Sequence, residues 1–349
     1  MTLLRIETER LLKFFQAAGA VRVETNILQQ ADVLLDLYGE DIRGRAFVTS
    51  DPLHGEQMLR PDFTVPIVQR HMAESAEPAR YTYAGKVFRR QETDTDRSSE
   101  IDQVGYEVFD RGPAEKIEAE VFDIFYRVLA PFGLTASTGD VGLLLAAIEG
   151  LTTSQARKEA LRRHIWRPHR FGALIERFSN IVGVKDLGLG GQQIGLRCAG
   201  DIKSRLAQLA QEAEAPPIPR SEVNAIKDLL AVKNTFPNAL EDLENLAPRL
   251  PSIESAIVNM RKRASALRYA GIDISKIGFE AAYGLTSMEY YDGFVFGFYS
   301  PDQFDWPAVA SGGRYDALTR VLGQGRSVPA VGGIVRPHYT QGLSQGALE

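Results

Sequence analysis

The chain has 349 residues, of which 44% are hydrophobic and 24% charged, and its formal net charge is −5. This composition is ordinary for a globular protein with a sizeable core, and the negative balance argues against a surface devoted to nucleic acid. Cys198 is the only cysteine, so no intrachain disulfide can form and a reducing cytoplasm is expected. We expect neither a signal peptide nor a membrane span, because the N-terminal residues mix apolar with charged types and the apolar stretches are short.

The N-terminal part opens with a predicted helix and a short strand. Apolar residues recur at helical spacing in Leu3–Ala18, and Gly19 is well placed to end that helix. Val21–Glu24 has strand composition. Two further short strands are predicted at Arg45–Ser50 and Glu56–Leu59, on either side of a proline turn.

The segment LRPDFT, residues 59–64, leads into a predicted helix at Val65–Glu74. Asp62 and Thr64 are residue types that commonly cap a helix N-terminus, which is the simplest interpretation of both. A role in ligand binding is compatible with capping, because the start of a helix can present side chains to a bound molecule.

The centre of the chain is predicted to form a long hairpin. Tyr81–Phe88 is rich in aromatic and β-branched residues, and Ile101–Phe109 reads as the return strand. The residues between them, Gln91–Glu100, are all polar or charged and therefore predict a loop.

Alternation along the return strand sorts its side chains onto two faces, and one face is polar. Gln103, Gly105 and Glu107 share that face with Phe109. A glycine inside a strand often marks a ligand that lies close to the backbone, so this face is a candidate ligand site. An exposed polar face with a bulge is the alternative interpretation.

Helical periodicity dominates the next part of the chain. Pro113–Ala130 is a predicted helix, and Gly139–Ile148 is compatible with another. The segment 151–270 is read as a mostly helical insertion, with a proline-rich connector near residue 217. Its clearest helices are predicted at Leu206–Ala213, Glu222–Val232 and Ile253–Tyr269.

Strand character returns after Gly271. Lys276–Tyr283 is a predicted strand, and Met288–Phe298 is a second whose three phenylalanines alternate toward the core. Its other face carries Tyr291, Gly293, Val295 and Gly297, as expected for the floor of a pocket. Two glycine-rich segments follow at Ala310–Asp316 and Val328–Gly333.

These segments together resemble histidyl-tRNA synthetases, which are class II aminoacyl-tRNA synthetases. The resemblance covers LRPDFT at 59–64, FRR at 88–90 with QVGYE at 103–107, the YYDGFVF element at 290–296, and GGRYD at 312–316 with PAVG at 329–332. It implies an α+β fold, an antiparallel sheet flanked by helices. The implied domains are a first half at 1–150, the helical insertion at 151–270, a second half at 271–340 and a tail at 341–349, without an anticodon-binding domain.

The departures from that pattern concern the arginines that amino-acid activation needs. Arg89 keeps the motif 2 arginine, but Thr286 and Tyr339 stand where the family has two more. Arg336 lies three residues before the last of these positions, so the sequence does not establish that it substitutes. This combination resembles the regulatory subunits of ATP phosphoribosyltransferase, histidyl-tRNA synthetase paralogues without aminoacylation activity. It implies no catalytic residues, no metal site and no cofactor.

The positions that hold histidine in the synthetases survive. The resemblance implies an ammonium site from Asp62, Thr64 and Gln103, and an imidazole site from Glu107 and Tyr291. The full set of implied histidine-binding residues is Asp62, Thr64, Arg89, Gln103, Glu107, Tyr290 and Tyr291.

The resemblance also implies partners. These are a short-form ATP phosphoribosyltransferase catalytic subunit, with which the chain would serve the first step of histidine biosynthesis, and L-histidine as a feedback effector. A dimer within a hetero-oligomer is expected from the helix and strand that resemble motif 1, although Asn26 stands where that motif has proline. No tRNA is expected as a partner. The alternatives are a truncated synthetase-like enzyme that forms histidyl adenylate and a general amino-acid sensor with another partner.

Overall fold

The computed structural model describes residues 2–38, 42–74, 76–91, 98–180, 215–285 and 290–346, together with positions 200, 204 and 207. In this part of the chain no helix is both long and apolar enough to cross a membrane. Thr286, Cys198 and the predicted helix Leu206–Ala213, apart from its helical position 207, lie outside the described residues.

Thirteen α-helices are formed by the described residues. The first six are α1 (Leu3–Ala17), α2 (Ala31–Tyr38), α3 (Ile42–Arg45), α4 (Thr64–Glu74), α5 (Ala114–Leu129) and α6 (Val141–Glu149). The other seven are α7 (Gln155–Arg162), α8 (Pro168–Phe178), α9 (Arg220–Ala231), α10 (Phe236–Leu246), α11 (Glu254–Tyr269), α12 (Asp316–Leu322) and α13 (Pro337–Gly346).

Twelve strands accompany them in the described ranges. The first six are β1 (Val21–Arg22), β2 (Leu28–Gln30), β3 (Val48–Asp51), β4 (Gly55–Leu59), β5 (Ala79–Phe88) and β6 (Glu100–Phe109). The other six are β7 (Thr135–Asp140), β8 (Lys233–Thr235), β9 (Ile277–Glu280), β10 (Phe294–Tyr299), β11 (Ala310–Arg314) and β12 (Ala330–Val335).

The main sheet has nine strands in the order β1-β5-β6-β12-β11-β10-β7-β9-β8, and β2, β4 and β3 form a small second sheet. In the main sheet the central strands pair antiparallel, whereas β1 pairs with β5 and β7 pairs with β9 in parallel. The predicted antiparallel α+β class is therefore confirmed. The predicted hairpin is also present, with β5 and β6 paired from Ala79↔Phe109 to Phe88↔Glu100.

One part of the hydrophobic core lies between the sheet and α5. Phe294, Phe296 and Phe298 all point from β10 toward this helix, as their alternation predicts, and each is at most 2% exposed. The ring of Phe122 on α5 lies 5.3 to 6.2 Å from all three, measured between centroids. This packing leaves the opposite face of the sheet free to form a pocket.

A buried ionic cluster fastens α11 to α5 and the sheet. Arg263 donates to Glu118 Oε2 at 2.6 Å and to Asp140 Oδ2 at 2.9 Å. Arg314 donates to the other oxygen of Glu118 and to Asp316. Burial alone would raise the pKa of Glu118, but the two arginines hold that pKa below its usual value.

Several features differ from the sequence-based expectations. The predicted strand Met288–Phe298 is not extended over Tyr290–Gly293, and β10 begins only at Phe294. Arg45, predicted to start a strand, is the last residue of α3.

The segment 139–148 was expected to be helical from its start, but its first two residues end β7, and α6 begins only at Val141. The segment 151–270 contributes a strand as well as helices, because β8 pairs with β9 at the edge of the main sheet. Residues 341–346, expected in a tail, belong to α13, which packs against α1.

Candidate functional site

A cavity of about 410 Å³ lies on the face of the sheet opposite the phenylalanine core, within the range of roughly 300–1,000 Å³ that small-molecule sites occupy. All seven residues singled out from the sequence line it. They come from the start of α4, the hairpin β5–β6 and the segment before β10: Asp62, Thr64, Arg89, Gln103, Glu107, Tyr290 and Tyr291.

Glu107 is the most enclosed acid of the cavity, with 1% of its surface exposed. Tyr83 donates to its Oε1 at 2.8 Å and Tyr315 to its Oε2 at 2.6 Å. Thr64 Oγ1 lies 3.4 Å from Oε1 and itself accepts a hydrogen bond from Tyr290 at 3.2 Å. A carboxylate has about four acceptor positions, so three donors leave one for an N–H group of a ligand.

The environment of Glu107 makes it a weak acid. Burial raises its pKa to about 7, against the hydrogen bonds from Tyr315, Tyr83 and Thr64, which lower it. Burial likewise raises the pKa of Tyr83 and Tyr315 well above the ordinary tyrosine value, so both hydroxyls remain proton donors at neutral pH.

Glycines on the neighbouring strand make room for this carboxylate. Gly332 on β12 pairs directly with Glu107, and a Cβ on Gly332 would lie 1.6 Å from Glu107 Oε2. Any side chain there would displace the carboxylate from its present position. The glycine of the PAVG element, Gly332, therefore provides the space that the Glu107 carboxylate occupies.

Two other glycines have a different role from the one expected. A Cβ at Gly105 would lie 2.1 Å from the ring of Tyr83, and one at Gly297 would lie 1.9 Å from the hydroxyl of Tyr283. The space above both glycines is therefore filled by tyrosines of the chain itself. The expectation that Gly105 marks close approach of a ligand was wrong, because the aromatic ring of the paired strand occupies that place.

Asp62 and Gln103 place two more polar groups at the cavity wall. Asp62 is 4% exposed, and its Oδ1 accepts the backbone N–H of Val65 at 3.1 Å, so it caps α4 while lining the cavity. Gln103 is 2% exposed, and its Oε1 has no hydrogen-bond partner among the described residues. A buried amide oxygen without a partner is costly, and a ligand N–H or ammonium group would satisfy it.

Sequence reasoning missed several residues of the site. Tyr83 and Tyr315 hold Glu107, and Tyr283 and Tyr299 line the cavity with their hydroxyl oxygens 2.9 Å apart. Tyr315 belongs to the quoted GGRYD element, which was the available signal. Strand alternation also places Tyr83 on the face of Gly105, its direct partner.

Arg336, whose role the sequence left open, is also a residue of the site. It follows β12, lines the same cavity as Arg89 and donates through Nη1 to the carbonyl of Ala308. Burial, and then the charge of Arg89, lowers the pKa of Arg336 to about 10. The cavity therefore contains two cations as well as its acids.

Comparison with known proteins gives a consistent result. The sequence model of the histidyl-tRNA synthetase family matches residues 4–172 and 193–338. The chain is 32% identical to an ATP phosphoribosyltransferase regulatory subunit of Mesorhizobium japonicum and 30% identical to one of Agrobacterium fabrum, and each alignment covers 92% of both proteins.

Solved structures share the fold at lower identity. A Bacillus halodurans protein described as an ATP phosphoribosyltransferase regulatory subunit/histidyl-tRNA synthetase superimposes with a TM-score of 0.69 at 20% identity, covering 98% of this chain and 79% of that chain. The histidyl-tRNA synthetase of Nostoc gives a TM-score of 0.66 at 16% identity, covering 98% and 71%. At these identities the likeness concerns the fold alone.

Proposed function

The chain belongs to the family of ATP phosphoribosyltransferase regulatory subunits, within the wider histidyl-tRNA synthetase family, and on this premise we propose how its cavity is used. The chain is a non-catalytic regulatory subunit that acts in histidine biosynthesis. We propose that the cavity binds free L-histidine and that occupancy conveys feedback inhibition to a catalytic partner.

The observation that carries the histidine proposal is the unpartnered Oε1 of Gln103, buried in the same cavity as Glu107 and Asp62. Histidine has an ammonium group and a ring N–H, both of which are donors. Gln103 and Asp62 suit the ammonium group, and the remaining acceptor position of Glu107 suits the ring. A site built to hydrogen-bond such groups discriminates against ligands that lack them.

The decisive experiment is calorimetric titration of histidine into the wild-type protein and Glu107→Gln. The substitution keeps the volume but removes a charge-assisted hydrogen bond worth about 1.5–3 kcal/mol, so affinity should fall roughly tenfold to a hundredfold. Glu254→Gln, at an exposed position on α11, is the matched control and should bind as wild type. Equal affinities of all three proteins would place the histidine site elsewhere.

The proposed partner is a short-form ATP phosphoribosyltransferase catalytic subunit. We propose that a dimer of this chain binds it in the cytoplasm and forms a hetero-oligomer with it. Apolar side chains exposed near α1 and the small sheet support self-association there, among them Val21, Leu28 and Val48. Sedimentation should show a dimer at micromolar concentration and a larger species with the catalytic subunit. A monomer that does not shift when the catalytic subunit is added would contradict this assembly.

The second candidate function is a general amino-acid sensor, which would bind its amino acids in the same cavity. Its discriminating test is a titration with other amino acids whose side chains lack a ring N–H. Binding as tight as that of histidine would favour the sensor.

A further inference from the structure

The cavity holds two guanidinium groups that the chain itself leaves largely unused. Arg89 donates from Nε to the carbonyl of Pro61 at 2.8 Å, and Arg336 donates from Nη1 to the carbonyl of Ala308. A guanidinium has five N–H donors. Each arginine therefore keeps four donors without a partner among the residues that the structure describes.

Neither arginine has a counter-ion in the described ranges. Of the three acids that line the cavity, Glu280 pairs with Lys233 at 3.0 Å, and Glu107 is held by tyrosine hydroxyls. The third, Asp62, accepts the backbone N–H of Val65. Two cations that share a cavity repel each other, and a partly buried cation without an anion is costly. An anionic group between them would offset both effects.

We propose that Arg336 joins Arg89, which the resemblance already assigns to ligand binding, to form an oxyanion subsite of the cavity, and that Arg336 is a specificity-determining residue. Guanidinium groups are planar forks that match the two oxygens of a carboxylate or phosphate. Arg336 brings its charge from the residue that directly follows β12. The ligand class is therefore a molecule with a free carboxylate or phosphate group.

The carboxylate of the bound amino acid is the first occupant to test, and this part rests on the proposed function. Three acids and two arginines line the cavity, and one of the acids, Glu280, is already paired with Lys233. The other two acids and the two arginines complement a zwitterion, with Asp62 and Glu107 toward the donors and Arg336 toward the carboxylate. Small residues also line the cavity, namely Ser311, Gly312 and Gly333. A separate phosphate ion is the second source of the same chemistry.

The experiment compares wild type with Arg336→Gln, which removes the charge and keeps a donor for the Ala308 carbonyl. L-Histidine, L-histidinol, which lacks the carboxylate, and inorganic phosphate are each titrated calorimetrically. Losing one charge-assisted contact should weaken histidine binding roughly tenfold to a hundredfold, with histidinol changed less than about twofold. Arg320→Gln, an exposed arginine on α12 outside the cavity, should bind all three as wild type does.

The remaining outcomes distinguish a bound carboxylate from a separate phosphate ion, and the oxyanion subsite from the histidine proposal. Loss of phosphate binding with unchanged histidine binding supports the subsite and assigns it to a separate phosphate. If wild type binds phosphate but neither histidine nor histidinol, the histidine proposal fails, and the effect of Arg336→Gln on phosphate alone decides the subsite. Arg336→Lys keeps the charge without the fork, so it should bind with intermediate affinity if Arg336→Gln fails to fold. Unchanged binding of histidine and phosphate in a folded variant, or no binding of either to wild type, overturns the subsite.

Discussion

At the scale of single residues, Glu107 is a carboxyl group that the folded protein keeps partly protonated at neutral pH. Its pKa is about 7 in the fold, compared with an ordinary value of 4.5, because burial disfavours the charge. Between those two pH values the folded protein holds a proton that the unfolded chain releases. Stability contributed by this residue is therefore full below about pH 4.5 and falls as pH rises through 7.

Urea unfolding of wild type and Glu107→Gln at pH 5 and pH 8 tests this sign. The glutamine does not titrate, so the variant should gain stability relative to wild type by up to roughly 3 kcal/mol between the two pH values. Burial also raises the pKa of Asp292 to about 7, but that group is present in both proteins and cancels in the comparison. A stability difference that is the same at both pH values would contradict the prediction.

Alternation along one strand was sufficient to place Gln103 and Glu107 on a common face. The resemblance carried by three other short segments selected the remaining five of the seven side chains that line the cavity. Their role in binding histidine stays a prediction. The tyrosines around Glu107 were not predictable in this way, because Tyr83 and Tyr315 reach it from two other strands or their ends. Hydrogen bonds between segments so far apart depend on strand register, which the sequence alone does not give.

At the scale of elements, the contact between α11 and the sheet depends on Arg263. This arginine is 2% exposed and lies between Glu118 and Asp140. Removing it leaves two buried carboxylates without their shared cation. Breaking a buried pair in this way typically costs about 3–5 kcal/mol.

Arg263→Met should therefore lower the free energy of unfolding by roughly 3–5 kcal/mol, measured by urea denaturation. Arg261→Met on the same helix is the matched control, since Arg261 pairs with Glu244 at 2.7 Å on the surface. Exposed pairs contribute about 0–1 kcal/mol, so the control should differ little from wild type. Equal losses in both variants would show that the buried cluster has no special part in holding α11.

Helices were predicted more accurately than short strands. The apolar periodicity of α5 and α11 is visible in the sequence, and both form within a few residues of the predicted bounds. β7 has the sequence TASTGD, whose small polar residues show no alternation of apolar side chains. Its conformation is imposed by β10 on one side and β9 on the other, which only the tertiary structure supplies.

At the scale of the whole molecule, the chain should not activate histidine. Tyr339, at the place of a synthetase arginine, lies in the first turn of α13 with its ring 4.7 Å from that of Trp306. Removing one fixed donor that stabilises transition-state charge typically costs a factor of about 10²–10³ in rate. Histidine-dependent exchange of labelled pyrophosphate into ATP should therefore be at least about 10²-fold slower than in a synthetase, and exchange at a synthetase-like rate would contradict this.

The order of elements along the chain was predictable because the short motifs that resemble histidyl-tRNA synthetases, from LRPDFT to PAVG, follow one another in the order of that family. The division into halves at 1–150 and 271–340 around an insertion at 151–270 stays a prediction. β8 and α11 show why composition alone does not settle it. Both belong to the predicted insertion by position, yet one extends the main sheet and the other packs on α5.

The two ends of the nine-stranded sheet have a consequence for aggregation. In the described part of the chain the sheet ends in β1, which has two residues, and in β8, which has three, and all five side chains are exposed. Long unpaired edges recruit strands from other molecules, and short edges that carry charges such as Arg22 and Lys233 do so poorly. The broad sheet is therefore protected against edge-to-edge polymerisation, which leaves side-chain surfaces to select the partners of the molecule.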